Sequence, residues 1–248
     1  MKIILWIIVA VIAVMVLPFL LLFLFLFICG LFVDTKKQYD RDSRFYRALL
    51  DGSTTFILWC LGVRYNIIGE ERFPPSGNFL FISNHRSNYD PIIQWTVFKR
   101  YKLSFISKKE NFRIPMYGRI IHRCCFMPID RKSPRKAMET VNRAARLLTE
   151  TENSVGVYPE GKRSKECKLL PFHSGVLKTA QKAGKPIVVS TIEGTENIFR
   201  NIKRLHKTVV TIRILETIDA DRVRSLKTSE LSEYCAGLMK NELEEHRS

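Results

Sequence analysis

In the stretch NFLFISNHRSNYDP, residues 78–91, an apolar run ends in Asn84 and His85, and Asp90 and Pro91 follow five and six residues after the histidine. Imidazole takes and returns protons near neutral pH, and a carboxylate on one ring nitrogen fixes which nitrogen is left to do so. On one straight helix a separation of five residues sets two side chains about 140° apart, so the pair meets only if a loop folds the chain back. Asp90 before Pro91 also reads as a helix cap followed by a first helical position. Two more polar clusters stand directly after apolar runs: FMPIDR, residues 126–131, and VYPEGKRS, residues 157–164. Three segment ends thus deliver a base with its orienter, then an arginine, then Glu160, Gly161, Lys162 and Arg163. Ser87 lacks the glycine-flanked elbow of an activated nucleophile.

The elements that must position these groups alternate. Short apolar runs predict strands over 64–68, 78–83, 103–107, 124–129, 154–158, 186–192 and 208–215, and longer mixed segments predict helices over 91–100, 114–121, 134–150, 175–183 and 229–245. Such alternation predicts an α/β fold with a central mixed sheet of about seven strands flanked by helices, and its catalytic groups on loops beyond strand ends. Ser133 and Pro134 open the helix from 134, whose stripe of Ala137, Val141, Ala144 and Leu148 marks it as scaffold. The expected division is a hydrophobic anchor over 1–33, a juxtamembrane amphipathic helix within 34–63 and a catalytic domain over 64–248.

The anchor rests on composition. From Ile3 to Val33 there are 31 residues without a charged side chain, against the roughly 20 that one transmembrane helix needs. A signal peptide would be shorter and end in a small-residue cleavage site, so a retained membrane-anchoring helical segment is expected. One tilted span and a re-entrant hairpin bent at Pro18 both fit. Beyond it, Phe56, Ile57, Trp59 and Leu61 are available to dip into headgroups, although an ordinary domain helix fits the same segment. The formal net charge is +16, with only Lys2 inside residues 1–33. Such a balance calls for an anionic partner. Beside a hydrophobic N-terminus that partner is an anionic membrane rather than nucleic acid, with the basic domain at the cytoplasmic face. The six cysteines show no metal-ligand spacing and read as reduced thiols, Cys124 and Cys125 being placed inside a strand. His173 has no acid at a matching offset and reads as structural.

Over residues 64–215 four blocks resemble the glycerolipid acyltransferase family, specifically its 1-acylglycerol-3-phosphate acyltransferases. NHRSNYD is similar to its N-H-x4-D motif, CFMPIDR to the block ending in I-D-R, YPEGKRS to F-P-E-G-T-R-S, and AGKPIVVS to a last block written with two prolines. FISKKENFRIPMYG is similar to the connecting segment, whose lysine falls at Lys108. Tyr158, Lys162 and Val189 depart from the family pattern, and Lys162 for threonine bears on the acceptor's headgroup.

The resemblance implies transfer of a fatty acyl group from acyl-CoA or an acyl carrier protein to the 2-hydroxyl of lysophosphatidate. His85 would be the general base and Asp90 its orienter. Lys108, Arg131, Gly161, Lys162 and Arg163 would hold the acceptor's phosphate, with Glu160 fixing an arginine among them. Asn84 and Ser164 would support the loops. No permanently bound cofactor and no metal are implied, the acyl thioester being a co-substrate. An acyltransferase of the same mechanism with another lyso-lipid, and a non-catalytic basic membrane tether, are the competing readings.

Overall fold

The computed structural model describes residues 2–245, leaving aside the side chains of Leu5, Ile8, Val11, Ile12 and Met15. The chain opens with a helix, α1 (Lys2–Leu31), which runs unbroken through Pro18, so this segment is one helix and not a hairpin. The anchor expected over 1–33 falls in part on Met1 and those five side chains, outside the described residues. Among the described residues no helix is long and apolar enough to cross a membrane.

A second helix, α2 (Arg44–Cys60), turns Arg47, Leu50, Thr54 and Leu58 inward. Leu50 and Leu58 join the same apolar cluster as Phe79, Phe81 and Trp95. The buried Arg47 binds Asp42 Oδ2 at 2.6 Å, the Leu103 carbonyl at 2.8 Å and the Cys124 carbonyl at 3.1 Å. Phe56 meets Phe19 of α1 at 5.5 Å between ring centres, while Trp59 stays exposed. One face of α2 is therefore a domain helix, and its C-terminal end is open.

The strands are β1 (Val63–Ile68), β2 (Leu80–Ser83), β3 (Ser104–Lys108), β4 (Met127–Ile129), β5 (Val155–Val157), β6 (Ile187–Glu193) and β7 (Thr208–Ile218), with α3 (Tyr89–Val97), α4 (Tyr117–Arg123), α5 (Pro134–Glu150), α6 (Lys178–Ala183), α7 (Ile198–Lys203), α8 (Ala220–Ser225) and α9 (Thr228–Glu245) between and after them. They form one seven-stranded sheet in the order β1-β7-β6-β2-β5-β3-β4. Every pairing is parallel except β6 with β7. The expected mixed sheet flanked by helices is therefore the observed fold. The central strands are continuous apolar runs because both their faces are covered. Apolar clusters lie on both sides of the sheet: Phe81, Trp95, Phe105 and Val188 on one, Leu80, Ile82, Leu148 and Val189 on the other.

Several details differ from expectation. Cys124 caps α4 and Cys125 follows with φ +59°, so β4 begins only at Met127. Both thiols are buried and their pKa values are pushed up, that of Cys125 to about 12. Asp90 lies inside the first turn of α3 instead of capping it. The short helices α7 and α8 fall where no helix was predicted.

Candidate active site

Because β6, β2, β5, β3 and β4 are neighbours running in one direction, the loops that follow them open on one edge of the sheet. The first of these, after β2, folds back as the five-residue spacing required. His85 Nδ1 lies 2.7 Å from Asp90 Oδ2. Asp90 is fully buried, and the same oxygen accepts the backbone N–H groups of Arg86 at 2.6 Å and Ser87 at 2.7 Å. Three donors converging on one oxygen hold the carboxyl group in place. With Nδ1 engaged, the Nε2 nitrogen of His85 is left for a reacting proton.

The imidazole plane is fixed by stacking. Tyr158, from the loop after β5, lies 4.2 Å from the His85 ring centre at 14°, and Phe105 of β3 stacks behind Tyr158 at 5.5 Å. The Tyr158 hydroxyl donates to Gln94 Oε1 at 2.6 Å, and Gln94 Nε2 donates to Ser83 Oγ at 2.9 Å. Burial, and then the Asp90 charge, push the Tyr158 phenol well above its ordinary pKa, so it remains a donor.

Supporting residues sit below. Asn84 closes both ends of its amide on Ile192 of β6, donating to the carbonyl at 3.0 Å and accepting the N–H at 2.7 Å. Ser164 is buried, and its backbone N–H donates to the His85 carbonyl at 2.8 Å. Glu160 corrects its expected role. It is buried and, among the described residues, pairs with no arginine: Oε1 accepts the His85 backbone N–H at 2.6 Å and Oε2 the Leu170 N–H at 2.8 Å. Next to basic residues in sequence, its side chain points into the domain while theirs point out. Burial raises its pKa to about 7, against the pull of those two hydrogen bonds.

A cleft of about 790 Å³ opens beside His85. Trp95, Phe105, Tyr117, Ile121 and Phe126 supply an apolar wall, and Lys108, Arg131, Gly161, Lys162 and Arg163 supply a basic rim. The five expected phosphate contacts other than Glu160 are thus brought together around one opening. Gly161 has φ +68°, and a Cβ there would meet the His173 ring at 2.8 Å, so the position leaves room only for glycine. A separate cavity of about 530 Å³ between β4 and α5 shares none of these residues. Among the described residues no three His, Cys, Asp or Glu side chains cluster as a metal site would need.

Two participants were not read from sequence. Thr195, buried, donates its hydroxyl to Asp90 Oδ1 at 2.5 Å. It follows Gly194, whose φ of +90° makes the turn beyond β6 and where a Cβ would meet the Val209 carbonyl oxygen at 2.4 Å. The signal was available: STIEGTEN continues past a predicted strand, and the rule applied to three other strand ends points here too. Arg86 is the second, pairing with Glu193 at 3.1 Å and Glu196 at 3.5 Å while its Nε is buried without a partner.

The family model for Acyltransferase matches residues 64–193. The 1-acyl-sn-glycerol-3-phosphate acyltransferase of Escherichia coli strain K12 is 30% identical over 169 residues, 68% of this chain and 68% of its own length. That of Cocos nucifera is 31% identical over 167 residues, 66% of this chain and 53% of its own. The crystal structure of the 1-acyl-sn-glycerophosphate acyltransferase from Thermotoga maritima superposes with a TM-score of 0.66 at 22% identity, covering 90% of this chain and 88% of that one. At that identity the likeness speaks for the fold.

Proposed function

Since the chain belongs to the acyltransferase family, we propose that it is a membrane-associated enzyme that acylates the 2-hydroxyl of 1-acyl-sn-glycerol 3-phosphate to give phosphatidate. That it is a 1-acylglycerol-3-phosphate O-acyltransferase is what its relatives' shared activity supports. The observation that carries the mechanism is the His85–Asp90 pair, 2.7 Å apart at the mouth of a cleft with an apolar wall and a basic rim.

His85 Nε2 takes the proton of the acceptor hydroxyl as its oxygen attacks the thioester carbonyl carbon. The imidazolium so formed is stabilised by Asp90. When the tetrahedral adduct collapses, the carbon–sulfur bond breaks and the thiolate receives the proton from His85, leaving ester and free thiol. No acyl-enzyme is required. Lys108, Arg131, Lys162 and Arg163 suit the acceptor's phosphate by charge, and Gly161 leaves its backbone accessible. The donor is an acyl thioester of coenzyme A or of an acyl carrier protein, and no resident cofactor enters the chemistry.

The membrane part of the proposal rests on residues 1–33. Leu17, Leu20, Leu21, Phe23, Leu24 and Phe27 of α1 are exposed, a surface that is costly in water and stabilised in lipid. The basic catalytic domain, roughly residues 64–248, would then face the cytoplasmic leaflet, where its acceptor and product reside.

Thiol release from a long-chain acyl thioester, followed in detergent with and without lysophosphatidate, tests the reading. Release should require the acceptor and fall by about a hundredfold or more in His85→Ala. Turnover of only another lyso-lipid would keep the chemistry and replace the acceptor, the outcome to which Lys162 in place of threonine points. No turnover by any form, with binding to anionic vesicles intact, would leave a tether and overturn the enzyme.

A further inference from the structure

Far along the chain from the cleft loops, α7 ends in an unusual turn. The Leu205 N–H donates to the Ile202 carbonyl at 3.0 Å and the His206 N–H to the Asn201 carbonyl at 2.9 Å, the pair of bonds that closes a helix around a left-handed residue. That residue is commonly glycine or asparagine. Here it is Leu205, with φ +55° and 95% of its surface exposed. An L side chain in that conformation is strained, and a fully exposed leucine gains nothing from folding. Both disadvantages fall on one residue.

The surroundings share a pattern. Phe199, on the preceding turn, is 63% exposed, and Val209, just beyond, is 60% exposed. Arg200, Lys203, Arg204 and Lys207 are exposed around them, and no acidic residue occurs from Asn197 to Val209. Lys203 lies over the Phe199 ring at 4.5 Å, so its cation sits against the exposed apolar face. The tip is held firmly from below, with Ile198 fully buried and Asn201 Nδ2 donating to Thr208 Oγ1 at 3.2 Å. It is an exposed apolar tip, packed from below and surrounded by four basic side chains.

Its position continues a line already drawn. The Thr208 N–H donates to the Gly62 carbonyl at 3.2 Å, and Gly62 donates to the Trp59 carbonyl at 3.0 Å. The turn after α7 therefore abuts the C-terminal end of α2, where Trp59 is 74% exposed, next to the Phe56 that meets α1.

We propose that the α7 turn is a second membrane-docking element, in which Leu205 and Phe199 enter an anionic lipid surface while Arg200, Lys203, Arg204 and Lys207 engage its headgroups. This rests on the membrane association proposed above and adds a site to it. Exposed apolar side chains among basic ones suit the interface between headgroups and acyl chains. A projecting tip fits a deformable surface better than a rigid protein groove. Docked there, α7 sets the tilt of the domain, because the loop that begins it also carries Thr195 against Asp90.

The test uses the full chain with Cys60→Ser and Cys167→Ser, a Leu205→Cys substitution carrying an environment-sensitive fluorophore, and Glu150→Cys as the labelled control on exposed α5. Vesicles of phosphatidylcholine with phosphatidylglycerol, with or without brominated acyl chains, are the probe. The 205 label should shift to shorter wavelength and be quenched by bromine, more weakly on phosphatidylcholine alone, while the 150 label stays in water. If the chain floats with vesicles but the two labels behave alike, the α7 site is wrong and membrane association stands. If the chain does not float, both fall. If the 205 label answers to an acidic acyl carrier protein in solution and not to vesicles, the patch is a protein-docking site and the lipid proposal is overturned. With unlabelled protein, Leu205→Asn, which suits the left-handed turn, should lower activity on vesicle-embedded acceptor several-fold and leave activity on detergent-dispersed acceptor unchanged.

Discussion

Asp90 engages its two carboxylate oxygens differently, and this is what makes single substitutions informative. Oδ2 takes the imidazole and two backbone N–H groups, whereas Oδ1 depends on the Thr195 hydroxyl. Removing that hydroxyl leaves a buried charged acceptor short of one donor, a cost of about 1–3 kcal/mol. Thr195→Val is therefore expected to lower kcat by about tenfold with KM unchanged, and Thr195→Ser to restore it; equal kcat in Thr195→Val and wild type would remove Thr195 from the mechanism. Glu160 acts one step further away, through the His85 backbone. Its carboxyl titrates at about 7 in the fold against an ordinary value of 4.5. The folded state then holds this proton more tightly than the unfolded one, so the group's contribution to stability declines as pH rises from about 4.5 to about 7. Glu160→Gln removes the decline and also replaces one acceptor oxygen by an N–H donor facing a backbone N–H. The expected result is a flatter difference in unfolding temperature between about pH 5 and about pH 8, together with reduced kcat. An unchanged pH dependence of unfolding would place the titration elsewhere.

At the scale of elements, what could be read in advance follows from which forces are local. The strands announced themselves because a strand covered on both faces is a run of apolar residues, as LFIS at β2 and IVVSTI at β6 are. The helix α5 was legible down to its cap: Ser133 Oγ accepts the Lys136 N–H at 3.4 Å. The His85–Asp90 pair was legible since five residues of loop suffice to close it. Thr195 and the inward turn of Glu160 were not, because each depends on a neighbour about 75 or more residues away that only the sheet order supplies. The six-residue α7 and α8 offer too few turns for a periodicity to show. The docking of α2 was half legible, its apolar residues visible but Arg47 reading as surface charge. Instead Arg47 reaches two segments of the domain, at Leu103–Ser104 and Cys124, and pairs with Asp42, both nearly buried. Breaking such a buried pair costs about 3–5 kcal/mol, so Arg47→Ala should lower the unfolding temperature in detergent by roughly 10 °C for a chain of this size. A fall of under about 2 °C would mean that α2 is held by its apolar face alone.

The whole molecule separates two kinds of electrostatics that salt can tell apart. The formal charge of +16 sits mostly on exposed side chains: Lys108, Arg131, Lys162 and Arg163 at the cleft, and the basic residues of α7. Screening shortens their reach from about 10 Å at 0.1 M salt to about 3 Å at 1 M. His85 and Asp90 respond otherwise, because their interaction is a 2.7 Å contact with one partner fully buried, and a contact within the protein is little affected by ions outside it. The apolar helix α1 is also insensitive to screening, so the chain should stay with its vesicles. Raising salt over this range at fixed surface concentration of acceptor should therefore raise the apparent KM several-fold and leave kcat nearly constant, as measured by steady-state kinetics on vesicles containing lysophosphatidate. A fall in kcat with KM unmoved would contradict this division, since the exposed cations would then be acting on the transition state and not on capture of the acceptor. The same experiment in neutral detergent isolates the cleft, where the cations of its own lining remain to be screened, and there the rise in KM should be smaller than on an anionic surface.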